Sequence, residues 1–157
     1  MRAGDVLVFA WGNPGRGDDA LGPELLECLG ERPGVECLTD FQLQPEHVTD
    51  LRARRLVLLV DASVSAPPPF GFRRVHPRRD ATFTSHAMSP EALLAAYGDV
   101  YGSDPPPCYL LAIRGEGFEL GKPLGDAARR HLAGALRFVD SLLRDPTESA
   151  WDARLAP

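Results

Sequence analysis

Apolar residues fall along this chain in short runs separated by glycine and proline, and each run has the length of one secondary-structure element. Val6 to Trp11 is apolar throughout, the pattern of a strand covered on both faces. After the turn Gly12-Asn-Pro-Gly-Arg-Gly17, residues Leu21, Leu25, Cys28 and Leu29 recur at helical spacing. This predicts a helix from Asp19 or Ala20 to about Leu29, with Cys28 in the core. A short strand is expected over Gly34–Thr39, then a helix over Pro45–Arg54 with proline at its first position. Leu56 to Val60 is the clearest strand, and it closes on Asp61.

The proline-rich stretch from Ala66 ends regular structure, and Phe72–Val75 with Ala81–Thr84 suggests an irregular hairpin. Ser89-Pro-Glu reads as a cap and first turn of a helix stopped at Gly98. Cys108–Ile113 is a further strand. Leu132, Leu136, Val139 and Leu143 mark one face of a long helix over Leu124–Leu143. Strands alternating with helices predict an α/β fold in three layers, a mainly parallel twisted sheet of about five strands with helices on both faces. One domain over residues 1–144 is expected, with 145–157, polar apart from Trp151 and Leu155, as a loosely held tail.

Composition narrows the partners. A chain of 157 residues with net charge -5 argues against a nucleic-acid or anionic-membrane surface as the main partner. Three cysteines without C-x-x-C spacing suggest neither a disulfide framework nor a zinc ribbon, and a cytoplasmic protein is expected. The apolar run at the N-terminus is too short for a signal core, no stretch has the length of a membrane span, and a monomer is expected.

The candidate chemistry starts at the glycine turn. In an α/β sheet the strand-to-helix junction lies at the carboxyl edge, where ligands collect. Gly12, Gly15 and Gly17 match neither G-x-G-x-x-G nor the P-loop pattern, and Asp18 and Asp19 would repel a phosphate at the helix start. A cation would be attracted. Either aspartate alone would serve as an N-cap, but two leave one spare. Asp61 ends its strand at the same edge, and His86 lies just before the helix capped by Ser89. Two carboxylates and an imidazole make an O,O,N set suited to a borderline divalent ion such as nickel or zinc, with a position open for water or substrate. Ser85-His86 with Asp61 as a nucleophile set is the rival hydrolase reading, although Ser85 sits in no G-x-S-x-G elbow.

Gly12-Asn-Pro-Gly-Arg-Gly-Asp-Asp-Ala-Leu-Gly22, Asp61 and the Ser85-His86 segment together resemble the hydrogenase maturation proteases, endopeptidases that trim the C-terminal peptide from the large subunit of nickel-iron hydrogenases. The resemblance runs from the first strand to the last helix. It implies that Asp19, Asp61 and His86 are the catalytic and metal-contacting residues of an aspartyl-type endopeptidase. It also implies that they recognise nickel already held by the precursor, in trans, with no cofactor intrinsic to the enzyme. Asp18 would support Asp19 or cap the helix, and Asn13, Asp18, Gln42 and Gln44 would meet the substrate. After the second strand the chain has Asp40-Phe-Gln-Leu-Gln-Pro-Glu-His47 where many members have Asp-Gly-Gly-Thr, a variant that looks like members serving cytoplasmic bidirectional hydrogenases. A nickel-binding chaperone that cuts nothing would use the same three groups.

Overall fold

The computed structural model describes residues 4–79 and 88–157. Five strands form one sheet: β1 (Val6–Trp11), β2 (Val35–Asp40), β3 (Leu56–Ser63), β4 (Phe70–Val75) and β5 (Cys108–Arg114), in spatial order β2-β1-β3-β5-β4. The first four strands in that order run parallel, and β4 closes one edge antiparallel to β5. The residues of β1 are buried all along, because helices cover both faces of a central strand.

Helices α1 (Leu21–Leu29), α4 (Asp126–Arg144) and α5 (Glu148–Asp152) pack on the face that carries Val8, Ala10, Leu58 and Val60. Helices α2 (Val48–Leu51) and α3 (Pro90–Tyr101) pack on the other face, against Phe9, Trp11, Val57 and Leu59. Successive strand residues point to opposite faces, so two separate cores share one sheet.

Several boundaries differ from the sequence expectation, each for a local reason. Cys28 is exposed, not in the core. The buried face of α1 is Leu21, Gly22, Leu25, Leu26 and Leu29, and its centre lies about a quarter-turn from Cys28. Residues Pro45–His47 form a 3-10 turn, leaving α2 a single turn over Val48–Leu51. Helix α3 runs past Gly98 to Tyr101 and stops at Gly102, which takes the left-handed conformation at φ 64. Ser89 caps it as expected, accepting from the Ala92 amide at 3.1 Å.

Of the expected hairpin, Phe72–Val75 lies within β4, whose partner is β5; Ala81–Thr84 falls outside the described residues. The expectation of a loose tail is corrected. Thr147 caps α5, Trp151 is fully buried, and its Nε1 donates to the Leu142 carbonyl at 2.9 Å. Arg74 ties α5 to β4 through Asp152 at 2.9 Å and Glu148 at 2.6 Å, which anchors a segment that looked polar in sequence. Arg73 and Arg79 likewise pair with Glu91 and Asp99 of α3.

Candidate active site

The turn after β1 is built around two glycines that no other residue could replace. Gly12 has φ 150, and a Cβ there would lie 2.0 Å from the Asp19 carbonyl oxygen. Gly17 has φ 58, and a Cβ would lie 2.4 Å from the Gly117 carbonyl oxygen. The chain therefore folds back on itself, and a 3-10 turn over Gly17–Ala20 presents two adjacent carboxylates before α1 begins.

Those two carboxylates have different fates. Asp18 is 4% exposed. Its Oδ2 accepts from the Glu116 and Gly117 amides at 2.8 and 3.1 Å, and its Oδ1 from the Gly125 amide at 2.9 Å. Burial alone would raise its pKa, but the three amides outweigh that and hold it below the usual carboxylate value. Asp18 is thus the clamp that fixes the loop between β5 and α4 to the glycine turn. The expectation that it caps the following helix is corrected: neither the 3-10 turn nor α1 has a side-chain cap bond, and its oxygens accept instead from amides of the loop between β5 and α4.

Asp19 is half-buried, and its Oδ2 accepts from the Asn13 amide at 2.7 Å. The Asn13 side chain turns back to the Gly15 amide at 2.9 Å, so Asn13 shapes the turn that aims Asp19. Asp61 lies near the carboxyl end of β3, not at its last residue, since the strand continues to Ser63. Its Oδ1 accepts from the Ala62 amide at 2.8 Å. Burial pushes the Asp61 carboxyl up to about 7; the Ala62 amide opposes this and the negative charge of Asp19 adds to it. The two carboxylates predicted as one site therefore sense each other electrostatically at the carboxyl edge. His86, the third predicted member, lies outside the described residues. Among the described residues no group of three or more His, Cys, Asp or Glu side chains is placed to hold a metal ion.

The same edge carries a pair, Asp40 and His47, whose contact no local sequence pattern announces. His47 is 8% exposed and packs its ring edge-on to Phe9 at 4.6 Å. Its Nδ1 accepts from the Gln44 amide at 2.9 Å, and its Nε2 meets Asp40 Oδ2 at 2.9 Å. Gln44, expected at the substrate, instead closes a reciprocal capping box with His47, while Gln42 is exposed. The spacing of Gln44 and His47, N-cap and third helical residue, was the signal for this box. His131 of α4 places its Nδ1 3.0 Å from the Arg114 carbonyl oxygen at the end of β5.

No protein-family model matches the sequence, and no curated protein matches it. Solved structures do. The hydrogenase maturating endopeptidase HybD from E. coli is 25% identical, with 93% of this chain and 94% of that one covered at a TM-score of 0.71. The chain shares its fold with the hydrogenase maturation proteases. HycI from Thermococcus kodakarensis, a [NiFe] hydrogenase maturation protease, is 20% identical over 89% of this chain and 92% of that one, with a TM-score of 0.68. A hydrogenase 2 maturation peptidase from a Thaumarchaeota archaeon is 22% identical over 88% and 97%, at 0.62. These structures are of peptidase hydrolases, and they span several subtypes at similar scores, so the likeness is one of fold and does not single out one subtype. No helix among the described residues is long and apolar enough to cross a membrane.

Proposed function

We propose that this protein is an endopeptidase that removes the C-terminal peptide of a nickel-loaded hydrogenase large-subunit precursor. The observation that carries the reading is the coupled acid pair, Asp19 and Asp61, at the carboxyl edge of a sheet shared with HybD and HycI. Nickel enters as part of the substrate, and Asp19, Asp61 and His86 are its proposed contacts. The clustered carboxylates repel one another until a cation offsets them, which makes the loaded precursor the preferred partner.

The raised pKa of Asp61 gives it a second use. Without a cation beside it this carboxyl titrates at about 7, and the cation brought by the precursor favours its ionised form, the form that accepts a proton. Water adds to the peptide carbonyl: its oxygen joins the carbonyl carbon as one proton passes to an Asp61 carboxylate oxygen, and the C–N bond then breaks as that proton reaches the leaving amine nitrogen, leaving a carboxylic acid and an amine. Asp19 keeps Asp61 poised by its charge, and the Asn13 amide keeps Asp19 in place. Three free cysteines, one of them exposed, suit the reducing cytoplasm proposed as its location.

The test is cleavage of nickel-loaded precursor by wild type and by Asp19→Asn, Asp61→Asn and His86→Ala, read as loss of the C-terminal peptide. Each variant is expected to lose most of the activity. Full cleavage by all three would remove the site assignment, and tight nickel binding by the wild type with no change in precursor mass would favour a chaperone.

A further inference from the structure

A guanidinium stands at the carboxyl edge on the same face of the sheet as Asp61. It belongs to Arg114, the last residue of β5. Asp61 is level with Ala112 and Ser63 with Arg114, so Arg114 lies one strand over from Asp61 and two residues farther along, roughly 8 Å between backbones. Val57 and Leu59 of β3, like Cys108 and Leu110 of β5, pack on the side of α2 and α3, and Asp61 and Arg114 continue those two series.

Arg114 is held from several directions. Its amide donates to the Pro69 carbonyl at 3.0 Å, its carbonyl accepts from His131 Nδ1 at 3.0 Å, and the following Gly115 amide donates to the Ser63 carbonyl at 3.1 Å. Within the side chain, Nη1 donates to the Ala66 carbonyl at 3.0 Å, which aims the guanidinium.

The opposite edge of that guanidinium is unfilled. Nε is buried and, among the described residues, has no hydrogen-bond partner. Glu116 Oε1 stands 3.9 Å from it, too far for a hydrogen bond. The Glu116 amide is tied to Asp18 at 2.8 Å, which fixes the backbone, while its side chain is 61% exposed and free to turn to water. Leaving a buried charged donor unmet is costly, so proteins ordinarily meet such groups. A side chain fixed this firmly, with a donor unmet beside the acid pair, points to a group that arrives with the substrate. Nε–H and Nη2–H are parallel donors spaced to meet the two oxygens of a carboxylate. A peptide carbonyl would fill one of them; a carboxylate fills both and offsets the charge.

We propose that Arg114 binds a carboxylate of the peptide substrate, about two or three residues along an extended chain from the bond held at Asp61. The incoming carboxylate takes the place beside Nε, and Glu116, its competitor, swings to water. The inference rests on the proteolytic reading and adds a preference for acidic peptide to it.

The test uses the full chain labelled with nitrogen-15 and three acetylated hexapeptides: central glutamate with an amidated end, central glutamine with an amidated end, and central glutamine with a free carboxyl end. Binding is followed by NMR at the Arg114 Nε–H signal, identified by its loss in Arg114→Lys. The wild type is expected to bind a carboxylate-bearing peptide about tenfold more tightly than the neutral one, the worth of one charge-assisted pair, with the Nε–H signal shifting as the site fills. Preference for the first peptide assigns the site to an acidic side chain, and preference for the third to a chain terminus. Arg114→Lys keeps the charge without the fork and is expected to lose most of the preference; Glu116→Gln removes the competitor and is expected to tighten acidic-peptide binding about threefold. Equal affinities for all three peptides, no binding of any, an Nε–H signal that stays put, or an undiminished preference in Arg114→Lys would overturn the subsite. Cleavage of the loaded precursor by the wild type is scored separately: cutting with no carboxylate preference removes the subsite alone, and a carboxylate preference with no cutting removes the proteolytic reading alone.

Discussion

Replacing Asp18 by asparagine separates the two neighbouring aspartates by what each costs the protein. The carboxylate of Asp18 accepts three backbone N–H groups at 2.8, 3.1 and 2.9 Å while 4% exposed. Asparagine offers one acceptor oxygen and turns an NH2 group toward donors, so at least one amide of the loop loses its partner. A buried unsatisfied amide costs about 1–3 kcal/mol, and loss of the charge weakens the bonds that remain, so the total is about 2–4 kcal/mol. The pH dependence has a definite sign. A carboxyl held lower in the folded than in the unfolded state contributes stability that is present above its unfolded value, and this is lost as pH falls through the folded value. Asp18→Asn should therefore lower the urea midpoint at pH 7 and flatten the acid side of the stability curve below about pH 4. Hydrogen exchange at Glu116, Gly117 and Gly125 should quicken together. A midpoint within 0.3 M of wild type, taken with unchanged exchange at those three amides, would refute the clamp.

Further outcomes follow from the same structure. Asp61 carries a folded-state pKa raised to about 7, so it is ionised in the unfolded chain and protonated in the folded one between about pH 4 and 7. Its cost to folding grows as pH rises through that window. Asp61→Asn should accordingly raise the melting temperature more at pH 8 than at pH 5, and equal shifts at both would contradict the assignment. Trp151→Ala removes a fully buried indole and its bond to Leu142, and should cost about 3–5 kcal/mol in urea unfolding; a loss below 1 kcal/mol would mean that α5 is not part of the core.

What could be read from the sequence was set by periodicity and by local turn chemistry. Val6–Trp11 and Leu56–Val60 carry the strand signal in full because both faces of a central strand are buried. Asp61 stands out because it directly follows a continuous apolar run, and Asp18 and Asp19 because they close the glycine turn that follows another. Asp18 was misread because its partners, the amides of Glu116, Gly117 and Gly125, lie about a hundred residues away, and no local pattern announces them. Trp151 looked like part of a tail for a similar reason: its burial depends on α4 and β5, and a single tryptophan in a polar stretch has no period to detect. Asp40 and His47 fall in between. The Gln44 to His47 capping box is a three-residue pattern, but the contact to Asp40 depends on how the chain turns after β2.

The contrast between Asp18 and Asp19 also bears on mechanism. Asp18→Asn should lose stability first, whereas Asp19→Asn, whose oxygen takes a single amide, should keep its fold and lose its chemistry. The central claim is that the acid pair reads a cation brought by the substrate. The most direct measurement is the cleavage rate of the same large-subunit precursor, loaded with nickel and stripped of it, by the wild-type protein under one set of conditions. The account predicts rapid release of the C-terminal peptide from the loaded precursor and little or none from the stripped one; equal rates on both would contradict it.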